Sequence, residues 1–294
     1  MNSIIFVHKG NPFYLQIALS QARKTNPQTP IVLLGDETNK DIPGITHFYI
    51  NDFFCRAQKF GEIYVNNSPN SREYELFCFQ RWMVIWEFLN KNVEYNDKFL
   101  YCDSDTLLFA DVTSEFERMG NKPMAYEYKG SPAFTFVNKN SMGEFCNLIE
   151  WFYTSAEGLK LICQYKTFLV RNSKKYGISD MSVFAYYKSH VHPGLIIEPD
   201  KPVNNGWLPI KQDSSPDFLF CYDHNYGFSL EQNIYVLFKG VHFQGRHSKY
   251  EMIKYAKKNL KPFSKLWRMY YIHKIKRYAL KFKVLLTEQH WSLL

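Results

Sequence analysis

Two carboxylates one residue apart, Asp103 and Asp105 in Cys102-Asp103-Ser104-Asp105-Thr106, follow directly on the apolar run Phe99-Leu100-Tyr101-Cys102. Anions held this close repel, so the pair is costly unless a cation or hydrogen-bond donors offset the charge. A divalent metal ion carrying a diphosphate does so. Mg2+ and Mn2+ take oxygen ligands and bridge protein carboxylates to phosphate oxygens, and the bound ion acts as a Lewis acid on a departing diphosphate. The alternative is a solvated strand-end turn in which Asp105 caps the next element.

A second group lies near the other end of the main body, in Lys239-Gly240-Val241-His242-Phe243-Gln244-Gly245-Arg246-His247-Ser248-Lys249. His242 offers a third, nitrogen ligand, which tilts the metal toward Mn2+. Gly245 lets backbone approach a phosphate, and Lys249 would neutralise a departing diphosphate. A lone histidine can equally be a satisfied core or surface residue, so the assignment depends on the fold joining the two segments.

The elements around these residues describe an α/β chain. Ser3 to Val7 reads as a buried strand ending in His8-Lys9-Gly10-Asn11-Pro12, Phe13 to Thr25 as a helix, and Ile31 to Leu34 as a second strand closed by Gly35-Asp36. Such a unit opens a mostly parallel sheet, and sheets of this kind bind ligands beyond the carboxyl ends of their strands. Further strands are predicted at Thr46 to Ile50, Lys98 to Cys102, Met124 to Tyr128, Ala133 to Val137 and Leu195 to Glu198. Helices are predicted at Glu73 to Asn90, Met142 to Tyr153, Ala156 to Val170 and Asp180 to Lys188. Residues 51 to 72, polar and without period, read as a loop.

Together these residues resemble the GT-A glycosyltransferases, most closely the retaining group that includes glycogenin and the bacterial lipooligosaccharide galactosyltransferases. The resemblance covers about residues 1 to 250 and implies a Rossmann-like catalytic domain. In that family two aspartates of a D-x-D motif and a histidine from an H-x-x-G-x-x-K-like motif hold Mn2+ on a UDP-sugar, which corresponds to Asp103, Asp105 and His242, with Ser104, Gly245 and Lys249 beside the donor. The loop after the first strand and the acidic end of the second receive the nucleotide, pointing to His8, Lys9 and Asp36. Arg81 matches an arginine that contacts the donor. Asp180, in Gly177-Ile178-Ser179-Asp180-Met181-Ser182, resembles a later aspartate that lies against the donor sugar and is the catalytic candidate, although Ser179 or Asp180 as a helix N-cap is an equal structural account.

What the resemblance implies is transfer of a hexose from a UDP-sugar to a saccharide or lipid-linked saccharide, with Mn2+ or Mg2+ as cofactor. In a retaining enzyme a donor phosphate oxygen accepts the acceptor's proton; in an inverting one a carboxylate such as Asp180 or Glu127 serves as general base. A haloacid-dehalogenase-like phosphatase also places D-x-D after a strand, but its motif ends the first strand and requires threonine where Leu107 stands.

The charge is unevenly placed. Of a net +8 over 294 residues, Lys254 to Lys283 contributes eleven lysines and arginines and no acids, which leaves the remainder at three negative charges. A body of that sign argues against nucleic-acid binding, for which cations line the groove. Within Lys261 to Leu286, Trp267, Tyr271, Ile275, Tyr278, Phe282 and Leu286 recur at helical spacing with Lys and Arg largely elsewhere. This predicts a basic amphipathic tail, residues 251 to 294, that holds an anionic membrane surface through residues 254 to 286. Packing on the sheet is the alternative. The six scattered cysteines form no metal-binding pattern. Neither a signal-like N-terminus nor an apolar run of the ~18 residues needed for a span is present, so a cytoplasmic, peripherally membrane-associated protein is expected.

Overall fold

The computed structural model describes residues 1–95, 98–120, 124–126, 132–172, 177–192, 206–211, 218–220, 226–229, 234–245 and 248–260. The chain begins with β1 (Ser3–Val7), α1 (Phe13–Thr25), β2 (Ile31–Gly35) and β3 (Thr46–Tyr49), the strand–helix–strand start expected from the apolar runs. It continues through α2 (Cys55–Ile63), α3 (Arg72–Lys91), β4 (Lys98–Cys102), β5 (Thr106–Leu108), α4 (Val112–Met119), β6 (Met124–Tyr126) and β7 (Phe134–Asn138). Then come α5 (Lys139–Thr154), α6 (Ala156–Arg171) and α7 (Asp180–Tyr186), followed by β8 (Gly206–Lys211), β9 (Phe218–Phe220), β10 (Tyr226–Ser229), β11 (Ile234–Gln244) and α8 (Lys249–Asn259).

Among the described residues the central sheet has six strands in the order β3-β2-β1-β4-β7-β6. Pairing is parallel from β3 through β4 and antiparallel for β4–β7 and β7–β6. β1 and β2 are buried on both faces, which is why they are unbroken apolar runs. Ile5, Val7, Val32 and Leu34 face a cluster built with Trp82, Ile85 and Phe88 of α3 and Phe145 of α5. Ile4, Phe6, Ile31 and Leu33 face a second cluster with α1, Leu107 and Leu108 of β5, Val241 and Phe243 of β11, and Met252 and Ile253 of α8. α3 starts where Ser71 accepts a hydrogen bond from the Tyr74 N–H at 3.3 Å, with Glu73 and Glu75 favourably placed in its first turn.

Residues 51 to 72 are not simply a loop: they contain α2. Only Ala57 and Phe60 of that helix are buried, with Tyr64 just beyond it. Three apolar anchors among polar residues are too few to display a helical period, and packing against α3 supplies what the pattern lacks. The predicted strand at Leu195 to Glu198, Glu127, and residues 261–294 of the tail lie outside the described residues.

A second sheet, β5-β11-β10-β9 with β8 alongside β11, is where the chain goes after leaving β4. α8 crosses residue 250, burying Met252, Ile253 and Tyr255, and the Tyr255 hydroxyl donates to Gln21 of α1 at 3.0 Å. Among the described residues all five cysteines are free thiols, and no helix is long and apolar enough to cross a membrane.

Candidate metal and nucleotide site

β1, β2 and β4 run parallel, so their carboxyl ends deliver His8, Asp36 and Asp103 to one edge of the sheet. β4 ends at Cys102, and the next three residues turn the chain into β5 of the second sheet. The Asp103 N–H donates to the Ala133 carbonyl at 2.9 Å, and the Thr106 hydroxyl donates to the Asp103 carbonyl at 2.6 Å, fixing both sides of the turn. Ser104 is partly exposed between them.

β11 then brings the distant histidine. His242 is the antiparallel partner of Thr106, and the Phe243 N–H donates to the Asp105 carbonyl at 2.8 Å. With the ladder in this register, His242 Nε2 stands 3.3 Å from Asp105 Oδ1 and 3.9 Å from Asp103 Oδ2. One atom from each of the three side chains lies within 4.8 Å of the others. Two carboxylate oxygens and one imidazole nitrogen suit Mn2+ or Mg2+, the nitrogen favouring Mn2+, so the residues fit the metal that the motifs imply.

Further cations complete the surroundings. Lys249, first residue of α8, places Nζ 3.0 Å from Asp105 Oδ2 and 4.5 Å from the centre of the Tyr14 ring. Burial would raise the Asp105 pKa, but His242 and Lys249 outweigh it and hold the carboxyl well below the usual range. Burial likewise opposes the charge on Lys249, and Asp105 and Tyr14 more than restore it. Arg81 of α3 bridges two carboxylates, donating to Asp103 Oδ1 at 2.7 Å and to Asp180 Oδ2 at 2.6 Å. The Tyr101 hydroxyl also donates to Asp103 Oδ1 and accepts from Arg81 at 2.8 Å.

Asp180 opens α7, and its side chain is 4% exposed. It is not the cap: Ser179 occupies that position, its N–H donating to the Ser182 hydroxyl at 3.3 Å. The Asp180 carboxylate instead accepts from Arg81 and, at 3.0 Å, from the Trp82 indole N–H, both on Oδ2. Its clearest chemical task is to hold Arg81 at the site.

Of the nucleotide candidates, Asp36 and His8 are drawn together differently from Lys9. Asp36 accepts from the Gly10 N–H and from the Thr38 N–H and hydroxyl, while Asn39 donates to the His8 and Gly10 carbonyls. This clamp shapes the loop after β1. Burial opposes ionisation of Asp36, and the Thr38 and Gly10 bonds reverse that, lowering its pKa. The Lys9 ammonium lies over the rings of Phe54 and Phe77, at 4.6 and 5.1 Å. Gly245 adopts φ +92° just after β11, with open space where a Cβ would project. Gly245→Ala should therefore cost stability through the backbone and not through a clash, by roughly 1–2 kcal/mol in urea unfolding.

The His8 imidazole is pushed down to about 4, chiefly by burial and then by Lys249, against the opposing pull of Asp105, Asp36 and Asp103. The folded protein thus binds a proton at His8 less readily than the unfolded chain does. Stability contributed by neutral His8 is complete above about pH 6.5, the unfolded value, and is lost as pH falls toward 4. His8→Gln should flatten the fall in urea midpoint over that window, whereas an unchanged slope would assign it to other groups.

Sequence reasoning passed over Tyr101, Trp82 and Tyr14. Tyr101 was detectable, because it stands two residues before Asp103 at the end of an apolar strand, the spacing that continues one strand face into the turn. Trp82 meets Asp180 across 98 residues, and Tyr14 meets Lys249 across more than twice that, so neither leaves a local signal.

With the site in place, the architecture can be set beside known structures. Mouse xyloside xylosyltransferase 1 in its apo form superimposes with a TM-score of 0.52 at 8% identity, covering 72% of this chain and 89% of the other. This is the GT-A fold. Galactosyltransferase LgtC, in complex with donor and acceptor sugar analogues, aligns over 92% of this chain and 100% of its own at 13% identity, with a TM-score of 0.46. The glycosyltransferase GlyE of Streptococcus pneumoniae covers 67% of this chain and 45% of its own at 15% identity, TM-score 0.36. No protein-family model and no curated protein sequence matches the chain.

Proposed function

We propose that this GT-A chain is a metal-dependent glycosyltransferase that moves a hexose from a UDP-sugar to a saccharide or lipid-linked saccharide. The observation that carries the reading is the meeting of Asp103 and Asp105, from the exit of one sheet, with His242 from another, inside 4.8 Å. Those three residues would hold Mn2+ or Mg2+, which when bound supplies Lewis-acid stabilisation of the leaving diphosphate. Lys249, beside Asp105, adds positive charge where that diphosphate would develop its own negative charge. The clamped loop at His8, at the carboxyl edge of the central sheet, and the glycine turn at Gly245, after β11, would flank the nucleotide.

Retention is the outcome we favour. Asp180 Oδ2 is engaged by Arg81 and Trp82, which suits a positioning residue better than the free base that inversion requires. A panel of nucleotide-sugars screened by thermal shift with Mn2+ identifies the donor, since a ligand that binds the native state alone raises the melting temperature. Stabilisation by a UDP-sugar with Mn2+ that is abolished by EDTA is expected. Turnover of simple phosphomonoesters with no response to any nucleotide-sugar would instead make the aspartates those of a phosphatase.

The basic tail supports a peripheral membrane role on sequence grounds, each cation near an anionic surface adding roughly 1 kcal/mol. Truncation after Leu260, which spares the buried contacts of α8, should release the protein from phosphatidylserine-containing vesicles in a sedimentation assay. Binding that persists would place the membrane contact elsewhere.

A further inference from the structure

We propose that Lys249 makes metal binding at Asp103, Asp105 and His242 conditional on a diphosphate, by neutralising Asp105 until the diphosphate draws its ammonium away. This rests on the metal reading given above. Asp105 presents one oxygen to each of two partners: Oδ1 faces His242 at 3.3 Å, and Oδ2 faces Lys249 at 3.0 Å. A divalent ion taking Oδ1 would share that carboxylate with an ammonium. Like charges so placed repel, and the repulsion is weakly screened because the Asp105 side chain is only 12% exposed.

The two cations that flank the aspartates differ in how they are held. Arg81 touches Asp103 through Oδ1, leaving Oδ2 toward His242, and it is simultaneously tied to Asp180 and Tyr101. It is a fixed part of the wall. Lys249 sits on the first residue of α8 with a flexible four-carbon stem, against one carboxylate and the face of Tyr14. A bound diphosphate offers that ammonium a stronger anion, so its departure relieves the repulsion and frees the full charge of Asp105 for the metal. Metal and diphosphate should then strengthen each other's binding by the same factor.

Titration of Mn2+ against the protein, following free Mn2+ by electron paramagnetic resonance with and without UDP, tests this in wild type, Lys249→Met, Lys249→Arg and Asp105→Asn. UDP is expected to tighten Mn2+ roughly tenfold or more in wild type. Lys249→Met should bind Mn2+ alone roughly tenfold more tightly than wild type, and UDP should tighten Mn2+ by a clearly smaller factor in it than in wild type, what remains being direct coordination of the diphosphate. Lys249→Arg, which keeps the charge, should retain the wild-type pattern. A Met variant that binds Mn2+ no more tightly than wild type, or a wild type indifferent to UDP, overturns the proposal. Equal Mn2+ affinity in wild type and Asp105→Asn would overturn the metal reading beneath it. Circular dichroism verifies folding, and Lys249→Gln carries the same measurement if the Met variant does not fold.

Discussion

Asp105→Asn is expected to abolish Mn2+-dependent binding of UDP and to lower sugar transfer by on the order of a thousandfold, while leaving the fold intact. The substitution keeps the size of the side chain and does not touch the backbone bond from Phe243 that pins the turn. It removes the charge to which both His242 and Lys249 are directed. Lys249 is a quarter exposed and can turn to water, so the stability loss should be small beside the loss of binding. Calorimetric titration of UDP with and without Mn2+ reads the effect directly. An unchanged metal-dependent affinity in a folded variant would remove Asp105 from the metal site and the catalytic reading with it.

The second large effect is on stability. Arg81→Met leaves Asp180, 4% exposed, and Asp103 without their shared guanidinium, and stranding a buried charge in this way costs about 3–5 kcal/mol. The Trp82 N–H remains on Asp180 and offsets only part of the loss. Arg81→Lys should recover less than half, because a single ammonium cannot span two carboxylates that a planar fork reaches at once. Urea unfolding measures each variant, and adding Asp180→Asn to Arg81→Met should regain stability, the coupling expected of residues in contact. Additive losses in that double variant would mean that Arg81 and Asp180 do not depend on one another.

Much of the architecture is visible in the linear pattern, and the reason differs from element to element. β1, β2 and β4 are buried on both faces and must be continuous apolar runs. α1 and α3 have long enough packed faces to display their period. α2, with few buried anchors, does not, and the short β5 and the long β11 lie among residues whose apolar character has no single period. The strand that presents His242 therefore escaped notice even though the histidine itself did not.

The sequence by itself determined which groups are available: paired aspartates whose repulsion demands a cation, a histidine and lysine seven residues apart, and an arginine on a strongly patterned helix. Only the tertiary structure decided how they are used. It set His242 opposite Thr106, gave the helix cap to Ser179 and tied Asp180 to Arg81 and Trp82, aimed Lys9 at Phe54 and Phe77, and laid Lys249 on Tyr14. Chemical type is a property of one residue and survives in the linear record. Distance between residues a hundred positions apart depends on strand order and register, which emerge only when both faces of the sheet are buried together.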